Sequence, residues 1–496
     1  MLLSVALAYA LTPHGGVAPC GTVAMRESGA GPRRVRSVEP AGYDTTHFHI
    51  EGWDYTPTDE EYQLIGEIFE EVWAVEVDTY GYAPPYGEGL FSVWIEEMPR
   101  GLYGYTSLER DGQTAYVAIS PDMSWTGLSN EDAWKVTAAH EFFHALQFTY
   151  DYWESSWWME ATSTWMEDEV YDSINDYAYY LGEGAWPDYP EVSMVAENGW
   201  HEYGEVIWPR YLSTFHGDTG VIKSLWEACV DQEILDATAE LFGSQDGFYA
   251  AVVDFEVRNV LGYAGYEEGA EWYPVYTREV LAEGAQLPAT VAPTEYYADY
   301  LGVNYWRVPL LLAPDQDLVV DFTGNPMDDG NTVEWQVTVV GTDGSAWDAV
   351  TATTRDTLSV DLSGFGTTWT EGWVIVGILS FNTHVDHDQY SSDPRYTDIP
   401  PTYNFAVGLA EPSPDDTGDT GGSDTGGGGS GLVDSGGEDS AIVDDSAADT
   451  GANLEAGKDD GDAGGCGCQS GPPGVVSGVV LALAGVSSRR RKPGPA

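Results

Sequence analysis

The sequence is poor in positive charge. It has 19 Lys and Arg residues against 82 Asp and Glu residues, which gives a formal net charge of −63. Proteins that bind nucleic acid need Lys and Arg to neutralise phosphates and release counterions, so this balance argues against a nucleic acid partner. Two interpretations of the acidic residues remain: a solvated surface suited to a salty medium, and calcium binding through carboxylates.

Cysteine is also scarce, with four residues in a chain of 496: Cys20, Cys229, Cys466 and Cys468. A disulfide framework needs many cysteines in a short chain, so that class of protein is excluded. A proline precedes Cys20, and this fits a lipoprotein signal poorly. Cys466 and Cys468 stand together near the C-terminal end and need a separate explanation.

The composition changes along the chain, and the length suggests two or three folded units with tails. Residues 2–11 are apolar and contain an A-x-A pattern, which is typical of an export signal. Strands alternate with helices up to about residue 290, and strand-like runs broken by turn residues follow. We therefore predict an α+β chain with a signal peptide (1–19), a disordered stretch (20–43), an α+β domain (44–290), a β-sandwich module (291–410), a disordered acidic Gly/Asp/Ser linker (411–465) and a C-terminal sorting or anchor signal (466–496).

The chemistry-bearing motif is HEFFH at residues 140–144. The spacing predicts a helix over about 131–150, and residues i and i+4 share one face of a helix. His140 and His144 can therefore direct two imidazoles at one metal ion. Glu141 stands next to them and can take a proton from a water molecule that zinc activates. The motif predicts that the 44–290 domain is a zinc metallopeptidase domain.

The third metal ligand decides the subclass. One large group of zinc peptidases has a glycine and a histidine where this chain has Gln147 and Tyr150, so that subclass is excluded. Glu160 is the better candidate, sixteen residues after His144 on a second predicted helix over about 157–172. A short loop between the two helices lets them pack antiparallel and brings Glu160 to the metal.

The segment WWMEATSTWME at 157–167 resembles the gluzincin pattern, in which a second helix carries the glutamate ligand. The matching residues are Trp157, Glu160, Ala161, Ser163, Thr164 and Trp165. Met159 replaces the asparagine that usually precedes the glutamate, and the G-x-M-E-N strand of exopeptidases is absent. Thermolysin-like and M1-aminopeptidase-like enzymes share this arrangement. The two departures argue against aminopeptidase activity, so the resemblance implies an endopeptidase.

The layout of the whole chain is similar to surface metallopeptidases of myxobacteria. Those proteins combine HExxH, a following W-x-E helix, β-rich modules and a C-terminal tail. Here Cys466 and Cys468, an apolar run over about 475–486 and a basic cluster at 489–492 resemble the myxobacterial C-terminal sorting signal. The resemblance implies export and attachment of the protein to the cell surface or membrane through this tail.

Further site residues follow from the helix and from the resemblance. Glu167 or Asp168 is expected to accept the free ring N–H of a zinc-binding histidine, and the alternative is a solvated acidic face. Gluzincins use a tyrosine or histidine from a later helix to stabilise the oxyanion, which points to Tyr203 first and His201 second. The alternative for these two residues is ordinary capping and core packing.

Two other segments carry predictions. The strand at 115–120 precedes the zinc helix and is expected to be an edge strand that pairs with an extended peptide substrate. The sequence HVDH at 384–387 lies in the β-rich part and is interpreted as a loop without function.

The predicted function is a secreted or surface-anchored zinc metallopeptidase acting on protein or peptide substrates, with calcium as a candidate structural ion. His140, His144 and Glu160 are the predicted metal ligands, Glu141 the general base, and Tyr203 and His201 the further catalytic candidates. One alternative is a catalytically inactive adhesin with a peptidase fold. Another is a structural zinc site, which a fourth protein ligand would close.

Overall fold

The computed structural model describes residues 19–28, 42–109, 111–281, 287–293, 297–308, 316–325, 333–381 and 401–410. All of them belong to the first of two compact units, Met1–Ser435. The second unit, Gly436–Ala496, lies outside the described residues. Outside them too lie most of the predicted signal peptide, the linker (411–465), the HVDH sequence and the sorting tail with Cys466 and Cys468.

The first sheet is mixed and has five strands. The elements of this part are α1 (Thr22–Ser28), β1 (Gly42–Asp44), β2 (Phe48–Gly52), α2 (Asp59–Trp73), β3 (Phe91–Ile95), β4 (Gly104–Leu108) and β5 (Ala115–Ile119). The strand order is β1-β2-β3-β5-β4. Strands β2, β3 and β5 are parallel, and the two outer strands, β1 and β4, are antiparallel to their neighbours.

The prediction that residues 115–120 form the edge strand is wrong. Strand β5 pairs with β3 on one side and with β4 on the other. Every residue of its AYVAI sequence is buried, as expected of a central strand with both faces covered. The edge strand next to β5 is β4, whose GYTSL sequence contains the polar residues Thr106 and Ser107, and β1 forms the opposite edge.

The helical part follows the first sheet. Its helices are α3 (Asn130–Tyr150), α4 (Ser156–Val170), α5 (His201–Gly204), α6 (Ile207–Phe215), α7 (Thr219–Ala228), α8 (Ile234–Leu241) and α9 (Gln245–Val260). Ser129 caps α3, because its side chain accepts a hydrogen bond from the backbone N–H of Asp132. Helix α3 packs against β4, β5 and α4, so nearly every side chain from Ala133 to Phe148 is buried. Among the described helices, none combines the length and apolarity that a membrane span requires.

The β-rich part consists of two sheets. Its strands are β6 (Thr277–Glu279), β7 (Ala289–Val291), β8 (Val303–Val308), β9 (Gln316–Gly324), β10 (Val333–Thr342), β11 (Trp347–Thr354), β12 (Thr357–Phe365), β13 (Glu371–Phe381) and β14 (Tyr403–Ala410). The sheet orders are β11-β10-β13-β8-β6 and β12-β9-β14-β7. Apolar side chains from both sheets form one cluster. Strand β6 precedes the predicted domain boundary at residue 291, and most of β7 does too, yet both strands join these sheets.

Residues 20–28 differ from the predicted disordered stretch. They form a β-bridge at Cys20 and then helix α1. Met25 of α1 is buried in a cluster with Trp94 and Tyr105 on the outer face of the first sheet. This apolar contact explains why a short segment rich in small residues is ordered.

Candidate metal centre

Helices α3 and α4 bring the predicted metal ligands together. The loop between them is five residues long, from 151 to 155, and the two helices contact each other. His140 Nε2 lies 3.1 Å from Glu160 Oε2, and His144 Nε2 lies 3.5 Å from the same oxygen. Sequence reasoning thus named three residues that the structure places in one cluster.

Cys20 is the fourth member of this cluster. Its Sγ atom lies 3.4 Å from His144 Nε2. Ligand atoms of Cys20, His140, His144 and Glu160 all lie within 4.8 Å of one another, and all four residues are buried. These four residues form a site that can hold a metal ion.

The chemistry of the donor set fits a zinc ion. Two imidazole nitrogens, a carboxylate oxygen and a sulfur are all donors that zinc accepts. Glu160 Oε1 is buried and has no hydrogen-bond partner among the described residues. A buried carboxylate oxygen without a partner is costly unless it coordinates a cation, so this oxygen also fits a ligand role.

Hydrogen-bond partners at the Nδ1 atoms orient the two histidine rings. His140 Nδ1 lies 2.7 Å from Glu167 Oε1, and His144 Nδ1 lies 2.7 Å from Gln147 Oε1. These contacts leave both Nε2 atoms directed at the cluster, the arrangement that metal-binding histidines generally show. Of the two carboxylates predicted for this role, Glu167 contacts a histidine, whereas Asp168 pairs with Arg210.

Sequence reasoning missed Gln147 as a supporting residue. Its Nε2 atom donates to Met159 O, Thr162 Oγ1 and Ser163 Oγ, each at 3.0 Å. These three bonds place the amide nitrogen toward α4 and the amide oxygen toward His144. The spacing of three residues from His144 was the available signal, because residues i and i+3 are neighbours on a helix surface.

Burial and neighbouring charges act in opposite directions on the ligands. Burial would raise the pKa of Glu160, but His144 and His140 hold it below its ordinary value. Burial would lower the pKa of His140, but hydrogen bonds to Glu160 and Glu167 raise it well above its ordinary value. Burial, with Glu141 and Glu160 nearby, raises the pKa of Cys20. The carboxylates around the cluster therefore create a negative electrostatic potential, which favours a bound cation.

Glu141, the predicted general base, projects from α3 and is buried against β4 and the start of α1. Its Oε2 atom lies 2.9 Å from Thr106 Oγ1 and accepts a hydrogen bond from Thr22 Oγ1 at 3.0 Å. Thr106 Oγ1 also donates to the backbone oxygen of Glu141 at 2.6 Å. No sequence pattern pointed to Thr106, because its contact with Glu141 depends on how β4 packs against α3.

The two oxyanion candidates differ in their positions. The Tyr203 ring stacks near that of His140, with the centroids 6.2 Å apart, and its hydroxyl lies 3.5 Å from Cys20 O. His201 Nε2 lies 3.1 Å from Glu205 Oε1 on the next turn. The geometry thus brings Tyr203 beside the cluster and directs His201 to Glu205.

A small pocket opens beside Glu141 and His140. It is lined by Pro19, Cys20, Tyr103, Val136, Thr137, His140, Glu141, Glu167, Asp176 and Tyr180. Burial raises the pKa of Asp176 to about 6 and that of Glu167 to about 7. Because Cys20 and His140 line the pocket, it borders the four-residue cluster on the side where Cys20 lies.

No protein-family model matches the chain, and no curated protein matches it. Among solved structures, it is similar to a family GH115 4-O-methyl-α-glucuronidase with specificity for decorated arabinogalactans, at a TM-score of 0.15 and 9% identity. The match covers 56% of this chain and 42% of that one, so the chain spans less than half the length of that enzyme. A likeness at this level carries no conclusion about the fold or the function.

Proposed function

We propose that the protein is a zinc-dependent peptidase, an endopeptidase that hydrolyses peptide bonds in proteins or peptides. The observation that carries the proposal is the convergence of His140, His144 and Glu160 on one buried point, next to Glu141 on the same helix as the histidines. Glu141 adjoins His140 on α3 without being one of the four clustered donors, so its carboxylate is free to act as a base.

His140, His144 and Glu160 would hold the zinc ion. A bound zinc ion supplies Lewis acidity, which acidifies water and polarises a peptide carbonyl. Glu167 and Gln147 keep the two imidazole rings turned so that their Nε2 atoms face the ion. The donor types favour zinc over magnesium or calcium, because those ions prefer ligand sets made of oxygen alone.

Glu141 acts as general base and then as general acid. Its carboxylate takes a proton from the attacking water and later delivers it to the nitrogen of the leaving amine. Thr106 keeps the carboxylate in position through its contact with Oε2. Tyr203 is the candidate that donates a hydrogen bond to the developing oxyanion, since its ring packs beside His140.

A structural zinc site is a second candidate, and one observation favours it. Structural zinc sites are closed by four protein ligands, whereas catalytic sites keep a position open. Cys20 supplies such a fourth donor. The two functions differ in whether the site hydrolyses peptides once the sulfur is removed.

The proposed location is outside the cell, at its surface. The support comes from the sequence, namely the apolar stretch at 2–11 and the C-terminal tail with Cys466 and Cys468. An extracellular peptidase is consistent with the strongly acidic composition, because a highly charged protein stays soluble in a salty medium.

The test is zinc analysis of the purified full chain together with digestion of a peptide library read by mass spectrometry. Wild-type protein and Cys20→Ala are each compared with the corresponding protein carrying Glu141→Gln. We expect one zinc per chain in all four proteins, and at least a ~100-fold loss of hydrolysis with Glu141→Gln. Glu131→Gln, an exposed position on the same helix, is the matched control. Absence of stoichiometric zinc, or full hydrolysis with Glu141→Gln, would falsify the proposal.

A further inference from the structure

Residues 19–28, here called the N-terminal segment, lie along the edge strand β4. The backbone N–H of Tyr103 donates to Pro19 O at 2.8 Å, and that of Gly21 donates to Gly104 O at 2.9 Å. Cys20 pairs with Gly104 in a parallel bridge. Extended peptides commonly bind proteins by adding to such an exposed sheet edge. The N-terminal segment therefore occupies the edge at which an extended substrate would pair.

Two residues of this segment, Cys20 and Thr22, contact the proposed metal ligands, general base and oxyanion donor. Cys20 Sγ belongs to the metal cluster, and the backbone oxygen of Cys20 lies 3.5 Å from the Tyr203 hydroxyl. Thr22 Oγ1 donates to Glu141 Oε2, the proposed general base. Three residues of chain thus cover the metal site, the base and the oxyanion donor together.

Helix α1 holds the segment to the opposite wall of the site. Arg26 Nη2 donates to Glu154 O at 2.9 Å, and its Nη1 lies 2.7 Å from Met159 Sδ. The Arg26 guanidinium also lies over the Tyr152 ring, 5.4 Å from its centroid. The segment is therefore attached to the sheet through residues 19–22 and to the α3–α4 loop and α4 through Arg26.

We propose that the N-terminal segment is a built-in inhibitor, with Cys20 as a removable fourth ligand of the metal ion. The proposal rests on the peptidase function proposed above. When the sulfur binds, the Cys20 thiol loses its proton to solvent and a sulfur–metal bond forms. Displacement of the segment breaks that bond, returns a proton to the sulfur and frees Glu141 from Thr22.

This arrangement explains features that a purely structural site leaves unexplained. A structural site requires only the fourth ligand, which Cys20 alone provides. The contacts of Thr22 with Glu141 and of Cys20 O with Tyr203 add nothing to metal coordination, yet both cover catalytic candidates. The segment is held by backbone hydrogen bonds, by Arg26 and by the buried Met25 side chain. The backbone hydrogen bonds along β4 are contacts that an extended substrate can replace.

X-ray absorption at the zinc edge tests the ligand directly, without reference to activity. In the full wild-type chain we expect one sulfur at about 2.3 Å together with nitrogen and oxygen ligands at about 2.0–2.1 Å. Cys20→Ala should keep its zinc and lose the sulfur shell. Cys229→Ala is the matched control, because Cys229 is also a buried free cysteine, and this variant should keep the sulfur shell.

Peptide hydrolysis by the same proteins tests the inhibition. We expect Cys20→Ala to hydrolyse the peptide library at least ~10-fold faster than wild type, since a site with three protein ligands keeps a position open. Arg26→Gln leaves every metal ligand in place and only weakens the attachment of the segment, so a smaller increase of a few-fold is expected. Arg100→Gln, at an exposed arginine outside the segment, is its control and should behave as wild type.

The outcomes separate the two proposals. A wild-type spectrum without sulfur, or equal hydrolysis by wild type, Cys20→Ala and Arg26→Gln, overturns the inhibitory role while the peptidase function stands. A sulfur shell that disappears in Cys20→Ala, with no hydrolysis by any variant, identifies a closed structural site and contradicts the peptidase function. If Cys20→Ala does not fold, two other measurements test the inhibitory role. A sulfur shell in the wild-type spectrum and faster hydrolysis by Arg26→Gln support it, and the absence of either overturns it.

Discussion

The region around the metal cluster and the β-rich region bury very different side chains. The first region buries carboxyl groups throughout its interior, at Glu76, Glu141, Glu154, Glu160, Glu167, Asp168, Glu191, Glu202 and Glu205. The cluster that joins the two β sheets consists of apolar and aromatic side chains, chiefly valines. Buried charge costs free energy, so a fold keeps it where chemistry or a cation requires it.

Polar groups in the two regions are satisfied in different ways. In the β-rich region, Trp306 Nε1 donates to the Tyr403 hydroxyl, which in turn donates to Asn304 Oδ1. Around the metal cluster, burial raises the pKa of Glu202 to about 8, whereas His144 and His140 hold the pKa of Glu160 low. The first arrangement is a closed hydrogen-bond chain that stabilises the fold. In the second arrangement, Glu160 keeps its negative charge for a ligand, whereas burial favours the neutral, protonated form of Glu202.

The largest effect is expected from Glu160→Gln. The amide is a weaker zinc donor than a carboxylate, and its loss of charge removes attraction for the cation. We expect zinc affinity to fall by more than the ~10–100-fold typical of outer-shell changes, measured by competition with a chelating dye. Glu169→Gln, on the same helix but in contact with Tyr80 instead of the cluster, should leave the affinity unchanged.

A smaller loss is expected from Glu167→Gln. This side chain contacts His140 Nδ1 without belonging to the metal cluster. Removing its charge weakens the orientation and basicity of the His140 ring, so zinc affinity should fall by about 10–100-fold. The same titration, with thermal unfolding of the zinc-free protein as the control, checks this expectation. A change in unfolding alone would mean that Glu167 serves only the fold.

Glu256→Gln probes the contact between the two regions. Glu256 on α9 accepts a hydrogen bond from Gln336 on β10 at 2.5 Å, and burial raises its pKa from 4.5 to about 8. Between these values the folded state holds a proton that the unfolded state has lost, so the contribution of Glu256 to stability falls as pH rises through this window. Above pH 8 the variant should be more stable than wild type by about 5 kcal/mol, because each unit of pKa shift corresponds to about 1.4 kcal/mol.

Thermal unfolding at pH 5 and pH 8.5 measures this difference. The two proteins should differ little at the lower pH and most at the higher one. Glu60→Gln, an exposed position at the start of α2, is the control and should not alter the pH dependence. An equal difference at both pH values would show that Glu256 does not titrate as a buried acid.

The smallest effect is expected from Ile378→Val in the β-rich core. Ile378 is 1% exposed and belongs to the cluster between the two sheets. Loss of one buried methylene should lower the free energy of unfolding by about 1 kcal/mol, measured by urea denaturation. Zinc content and peptide hydrolysis should remain at wild-type values. A loss of zinc would mean that the two regions are coupled more tightly than their contrasting cores indicate.

Periodicity predicted many of the elements from sequence. The HEFFH helix, expected over about 131–150, spans Asn130–Tyr150. Of the two cap candidates in the sequence, Ser129 and Asn130, the structure uses Ser129. The FSVWI sequence at 91–95 also predicts a strand, and β3 has those bounds. The sequence around 201–215 predicts one helix, but the structure has two helices separated by residues 205–206. Pro209 stands near the start of the second helix, where proline is tolerated because the first turn needs no backbone N–H donors.

The short strands β1 and β4 escaped prediction. Strand β1 has three residues, all exposed, and β4 is largely polar. Neither carries the apolar alternation that identifies a strand. Because β4 was missed, the edge of the sheet was assigned to β5, which lies one strand inside that edge.

The sequence by itself determined the local part of the metal site. Helical spacing puts His140 and His144 on one face, and a short loop returns the chain so that Glu160 can reach them. Only the tertiary structure decided which other residues contact the histidines, Glu160 and Glu141. Cys20 lies 120 residues before His140, and Thr106 lies on a strand without a sequence signal. Contacts over such separations depend on how the edge strand, α1 and α3 pack, which no local spacing encodes.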